Sequence, residues 1–180
     1  LGTPYSALEH GEVGKGNTVV VCGCGPIGLA GVMLAQVRGA DVIAVDPLEN
    51  RREKAMDLGA TMALAPDNNA VETIRRRCLG THVVFIECSA ASSAYELGLR
   101  CLPVGGTLVS LGEGARYDFH PSNDLIRRHL RIQGSWYSSM GQGEELQKMI
   151  LAGAIAPSGL VSHRGSIDEF PALFGRACDQ

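Results

Sequence analysis

No C-x-x-C pair occurs in this 180-residue sequence, and its six cysteines (Cys22, Cys24, Cys78, Cys88, Cys101 and Cys178) suggest no disulfide framework. Cys22 and Cys24 are too close to bridge comfortably. The pattern is that of reduced thiols in a cytoplasmic chain. The histidines His10, His82, His120, His129 and His163 are scattered, none at a metal-ligand spacing from cysteine or carboxylate, so no metal site is expected within the chain. There is no excess of positive charge: the formal net charge of −3 leaves no basic footprint for nucleic acid. No apolar run reaches the ~20 residues of a membrane span. The longest candidate, 32–37, is soon stopped by Arg38 and Gly39. A basic-then-apolar leader is missing. So is an initiator residue at Leu1, and the chain is expected to be excised from a longer protein. The remaining composition is ordinary for one globular domain with a substantial core.

What is present is concentrated in residues 18–46, TVVVCGCGPIGLAGVMLAQVRGADVIAVD. A short β-branched run (18–22) leads into Gly23, Gly25 and Gly28, which form G-x-G-x-x-G. Residues 26–37 are too apolar for a surface helix, 41–45 read as a second strand, and Asp46 ends it. Alone, the glycine pattern fits a ligand-free turn as well as a ligand site. Strand before, helix after and acid at the next strand end make it a dinucleotide fingerprint. Gly23 turns the chain out of the strand, Gly25 admits a pyrophosphate to the backbone, and Gly28 lets helix and sheet pack closely. The helix start offers unpaired N–H groups and partial positive charge to phosphate. Pro26 suits the first helical position but donates nothing, so Ile27 and its neighbours must. Asp46 follows Gly23 by 23 residues, close to the spacing of about 20 for an acid that holds the adenosine ribose.

Further along, helix is expected at 50–58 with Gly59 as its stop, strand at 61–64, and a helix opened by an Asn69-x-x-Glu72 capping box and running to 78. Then come strand 83–88, helix 92–101, strand 106–111, a short helix 123–128, strand 130–136 and helix 144–152. A Ser166-x-x-Glu169 box precedes a last helix carrying Phe170, Leu173 and Phe174. Six alternations imply an α/β fold, a doubly wound six-stranded parallel Rossmann sheet with helices on both faces. Right-handed crossovers give the order 3-2-1-4-5-6, with the ligand crevice at the carboxyl ends of strands one and four.

In this order VVVCGCGPIG, VIAVD with NRREKAMDLGA, FIECSAA, GGTLVSLGEG and LVSHR resemble the zinc-type medium-chain alcohol and polyol dehydrogenases, nearest the sorbitol and threonine dehydrogenase branch. The resemblance spans nearly the whole chain. It implies an NAD-binding domain at 1–155 and, at 156–180, a segment returning towards a catalytic domain absent from this sequence. The family's early Cys, its His-Glu pair and its four-cysteine zinc lobe have no counterpart here, so zinc is expected only in that missing domain. Thr3 falls at the position of a carboxylate near the family's zinc, where a neutral hydroxyl is a poor substitute.

The resemblance also assigns residues. Gly23, Gly25, Ile27 and Gly28 would meet the pyrophosphate. Asp46 would accept both ribose hydroxyls and repel a 2′-phosphate, which favours NAD over NADP. Arg51 would lie over the adenine, with a solvated helix-start cation as the alternative. Cys88 and Ser89 would flank the nicotinamide. The backbones of Leu111, Gly112 and Glu113, and the stretch from Ser135 to Tyr137, would read its carboxamide, unless they are ordinary strand ends. Cys88 has no base or cation nearby in sequence to make it redox-active. His163 and Arg164 belong to the return stretch. Residues 116–120 and the edge strand around Trp136 are where a homo-oligomer would pair.

The function so implied is to bind NAD(H) and position its nicotinamide for hydride transfer from a small alcohol or polyol. The chain alone is expected to bind NAD weakly and turn over no alcohol. Three rivals remain: a zinc-free NADPH reductase of the same superfamily, a non-enzymatic NAD sensor, and a methyltransferase, which would carry a seventh, antiparallel strand.

Overall fold

The computed structural model of the chain describes residues 1–114 and 116–178, with side chains to Arg176, so the Cys178 thiol lies outside the described residues. Six strands, β1 (Thr18–Cys22), β2 (Asp41–Val45), β3 (Met62–Leu64), β4 (Val83–Glu87), β5 (Thr107–Ser110) and β6 (Arg131–Gly134), pair in parallel in the order β3-β2-β1-β4-β5-β6. Among the described residues seven α-helices accompany them: α1 (Gly2–His10), α2 (Pro26–Val37), α3 (Glu49–Asp57), α4 (Asn68–Arg77), α5 (Ser92–Cys101), α6 (Met140–Leu151) and α7 (Phe170–Cys178).

The central strands are apolar along their whole length because both faces of the sheet are covered. Alternate residues divide between two cores. Val19 and Val21 of β1, Val42 and Ala44 of β2, and Val84 and Ile86 of β4 pack with Leu8, Val32 and Leu34 from α1 and α2. Val20, Ile43, Val83 and Phe85 face the other way, onto Val71 and Ile74 of α4 and Leu97 of α5. Gly98 brings α5 down hard on this second face. A Cβ there would stand 2.8 Å from the fully buried Phe85 ring.

The helix and strand pattern follows the sequence except where capping or tertiary contact intervenes. Helix α1 has no sequence signal: it contains Pro4 and lacks a side-chain cap at Leu1. It forms because Ala7 and Leu8 bury completely against the first core. The expected Asn69-x-x-Glu72 box is not what opens α4. Asp67 caps that helix, its carboxylate accepting from Ala70 N at 2.8 Å, and Asn69 lies inside the first turn. An aspartate two residues earlier reaches the same orphan amides. Helix α6 starts four residues ahead of 144, because Ser139 and Gln142 cap each other reciprocally. The expected short helix at 123–128 is a π-helical turn (Pro121–Leu125) running into a 3-10 turn (Ile126–Arg128). The Ser166–Glu169 box is present.

At the amino end of β2, Asp41 takes a hydrogen bond from Arg77 Nε at 2.8 Å and another from Thr61. The Arg77 hydrogen bond, more than any other influence, holds the Asp41 carboxyl below its usual range, against a smaller burial effect. The folded value is therefore depressed. The stabilisation is complete above the unfolded carboxyl pKa and is lost as pH falls through the folded one. Both side chains are partly exposed, so solvent screening keeps the contribution of the pair small. Asp41→Asn is expected to lower Tm slightly at pH 7 and to leave it unchanged near pH 2; an equal loss at both would refute this linkage.

Candidate functional site

The carboxyl ends of β1, β2 and β4 open into a cleft of about 840 Å³. At its base Gly23 adopts φ +93°, a conformation that L side chains rarely take. A Cβ there would also stand 2.8 Å from Ser89 N. Gly28 sits in the first turn of α2, where a Cβ would come within 1.8 Å of the Gly23 carbonyl oxygen. Gly25, the N-cap of the same helix, is the opposite case: a Cβ there meets nothing within 4 Å. One glycine of the motif thus faces open space and two are locked by packing. The helical ladder begins with Leu29 donating to the Gly25 carbonyl at 2.9 Å. The Ile27 and Gly28 amides precede that first rung, free of helical partners, at the positive end of the helix dipole.

Asp46 lines the cleft although it is only 2% exposed. Its Oδ2 accepts from Cys24 N at 2.7 Å and its Oδ1 from Leu48 N at 2.9 Å. Each oxygen keeps acceptor capacity for one more donor. Arg51 stands at the lip, its Nη1 3.9 Å from Asp46 Oδ2. Arg52 clamps the turn below by donating to the Asp46 and Pro47 carbonyls, both at 2.8 Å.

The facing wall comes from β3's exit and from α5. Pro66, Asp67 and Asn68 lie on one side, and Ser93, Ala94, Leu97 and Arg100 on the other. Arg100 Nη2 donates to Asn68 Oδ1 at 3.0 Å and ties the two together. Sequence reading did not single out these residues. Pro66 follows a strand end on the crevice side, which was a usable signal. The α5 residues reach the cleft only through the packing of that helix.

Cys88 and Ser89 form the floor with Ala91. Burial first, and the Glu87 charge second, push the Cys88 thiol well above its usual value, so the thiol is a poor nucleophile at neutral pH. Behind this floor Glu87 is completely buried. Its Oε1 accepts from Ser89 N at 2.7 Å, Ser89 Oγ at 2.7 Å and Ala90 N at 2.9 Å, while Oε2 has no hydrogen-bond partner among the described residues.

Of the sequence-predicted residues, Gly23, Gly25, Asp46, Arg51, Cys88 and Ser89 meet in the cleft. Ile27 and Gly28 lie at the adjoining helix start. Leu111, Gly112 and Glu113 follow β5, and Ser135 and Tyr137 follow β6, outside the cleft wall but at the same end of the sheet. The Leu111 and Gly112 amides both donate to the Glu87 carbonyl, at 3.0 and 3.1 Å. Any ligand contact from these two residues therefore falls to their carbonyls. Ser135 is buried against His10, its Oγ 3.1 Å from Nδ1. Tyr137 is exposed with φ +52°, its ring edge-on to Trp136. Thr3 lies in the first turn of α1. Among the described residues no three of His, Cys, Asp or Glu gather to hold a metal, and none of the helices is long and apolar enough to cross a membrane.

A family model described as zinc-binding dehydrogenase matches residues 26–152. The zinc-type alcohol dehydrogenase-like protein YphC of Escherichia coli K12 is 31% identical over 94% of the chain and 49% of its own length. D-xylulose reductase of Saccharomyces cerevisiae is 31% identical over 97% and 51%. The chain thus spans about half the length of the curated relatives it matches. Alcohol dehydrogenase TADH from Thermus sp. ATN1 superposes with a TM-score of 0.85 at 25% identity, covering 98% of this chain and 53% of that one. An acetophenone reductase from Geotrichum candidum, solved in complex with NAD, superposes with a TM-score of 0.78 at 23% identity, covering 99% and 50%.

Proposed function

The chain belongs to the zinc-binding dehydrogenase family, and on that premise we propose that it is the NAD(H)-binding half of an alcohol or polyol dehydrogenase. One observation carries the reading: Gly25, the N-cap of α2, faces open space and lines the same cleft as Asp46. That combination suits a diphosphate joined to a ribose. When bound, NAD supplies a nicotinamide ring that takes up hydride from the alcohol carbon.

The chain's own residues bind and orient. The Ile27 and Gly28 amides receive the diphosphate. Asp46 receives two ribose hydroxyls on the acceptor capacity left after Cys24 and Leu48, and its charge opposes a 2′-phosphate. Arg51 covers the adenine from the lip. Cys88 and Ser89 support the nicotinamide from below, with the carbonyls of Leu111 and Gly112, the Glu113 backbone and the Ser135 to Tyr137 stretch at the carboxamide side. The chemistry that activates the alcohol belongs to the other half of the longer protein, together with any zinc. In this scheme residues 1–155 form the cofactor domain and 156–180 lead back to that half. The open edge of β6, with Trp136 exposed beside it, supports self-association as a homo-oligomer.

Calorimetry on the purified chain tests the reading. NAD is expected to bind, NADP about tenfold more weakly or worse, and S-adenosylmethionine not at all. Tighter NADP binding would favour the reductase rival, and heat from S-adenosylmethionine alone would favour the methyltransferase. No alcohol turnover is expected from this chain by itself.

A further inference from the structure

Among the described residues Glu87 is a fully buried carboxylic acid that the cofactor scheme above leaves without a task. Three donors converge on its Oε1. Its Oε2 is enclosed without a partner among the described residues. A Cβ on Gly112 would lie 2.6 Å from Oε2 and 2.4 Å from Ala90 N, so this close approach leaves no room for a side chain at position 112. Ala90 is held at φ +58°, a strained state for a residue with a side chain, and its amide points into Oε1. The carboxylate thus sits between the turn at 88–90 and Gly112, the two segments assigned to the nicotinamide. Being completely buried, it cannot touch a ligand in the cleft. It acts through the turn it holds and through its field, which burial leaves poorly screened.

We propose that Glu87 is a positioning residue that biases the bound cofactor towards its oxidised form. Its negative charge stabilises the cationic nicotinamide of NAD⁺ relative to the neutral ring of NADH. The inference rests on the NAD reading above. It goes beyond that reading by giving the site a preferred redox state, one that suits alcohol oxidation over carbonyl reduction.

The test is the ratio of the two dissociation constants, Kd(NAD⁺)/Kd(NADH), on the full chain. Glu87→Gln preserves shape and one acceptor but removes the charge. It is expected to raise the ratio about tenfold, while the Kd for ADP-ribose, which lacks the nicotinamide, stays within about twofold. Glu87→Asp keeps the charge and shortens the brace; it is expected to weaken both forms together at an unchanged ratio. Should Glu87→Gln fail to fold, Ser89→Ala carries the test with the opposite sign. It removes one donor that neutralises the carboxylate, so the ratio is expected to fall about twofold. If Glu87→Gln weakens NAD⁺, NADH and ADP-ribose by one common factor, or Ser89→Ala leaves the ratio unmoved, Glu87 is only a brace and the proposal is overturned. If the unmodified chain binds none of the three, the cofactor reading itself falls and takes this inference with it.

Discussion

Asp46→Ala is expected to weaken NAD binding by about thirtyfold or more and to lower Tm as well. A hydrogen bond to a charged group contributes about 1.5–3 kcal/mol, and the proposed ribose contact makes two of them. The stability loss has a separate origin. Removing the carboxylate strips the acceptor from the Cys24 and Leu48 amides, at about 1–3 kcal/mol for each that stays buried and unpaired. For a domain of this size 1 kcal/mol lowers Tm by about 2–4 °C. Asp46→Asn separates the two effects: its amide oxygen retains one acceptor and recovers part of the stability. The lost charge should still cost NAD affinity and narrow the margin over NADP. Calorimetry below the transition of each variant, paired with thermal melts, gives both quantities. NAD affinity unchanged in Asp46→Ala would end the ribose assignment.

The second large effect is a contrast between two glycines three residues apart. Gly28→Ala places a Cβ 1.8 Å from the Gly23 carbonyl oxygen. Backbone meets it there, so neither the turn nor the helix start can yield cheaply. The expected loss is about 4–5 kcal/mol or more, at the far end of what single substitutions do and a large share of a domain's total. Gly25→Ala meets nothing within 4 Å, and its φ of −72° suits any residue. Stability should fall by about 1 kcal/mol at most, from a poorer N-cap. NAD affinity should nevertheless drop about tenfold or more, because the added methyl occupies the space assigned to diphosphate. Denaturant melts and NAD titrations of both variants decide it. A Gly25→Ala chain that binds NAD normally would mean that the open space serves some other purpose.

The sequence was most readable where local chemistry and tertiary packing agree. Strands β1, β2 and β4 announce themselves as β-branched runs because both their faces are buried, and α2 is bounded by Pro26 and the Arg38–Gly39 stop. It was least readable where packing decides alone. Helix α1 carries Gly2 and Pro4 and no cap, yet Ala7 and Leu8 hold it against the sheet. The path of the chain out of β3 makes Asp67 the cap of α4 in place of the expected Asn69. Gly23, Gly25 and Asp46 were legible in the sequence as members of one candidate site, and all three line the cleft. The far wall did not declare itself, since Ser93, Leu97 and Arg100 belong to a helix whose rotation about its axis is fixed by Phe85. Glu87 was legible only as one residue of the expected strand 83–88, and its enclosure was not. Burial to zero exposure depends on Gly112, 25 residues away.

The close seat of α5 on the sheet has a mechanical corollary. With Gly98 resting on the Phe85 ring and no side chain to cushion it, this helix forms a fixed jaw whose position is set by the middle of β4. The opposite lip, residues 47–51, hangs on the hydrogen bonds that Arg52 donates to the Asp46 and Pro47 carbonyls and the one that Leu48 N donates to the Asp46 carboxylate. Any narrowing of the cleft mouth is then expected from that hydrogen-bonded lip, and a bulkier side chain at position 98 is expected to prop the mouth open without touching anything inside it.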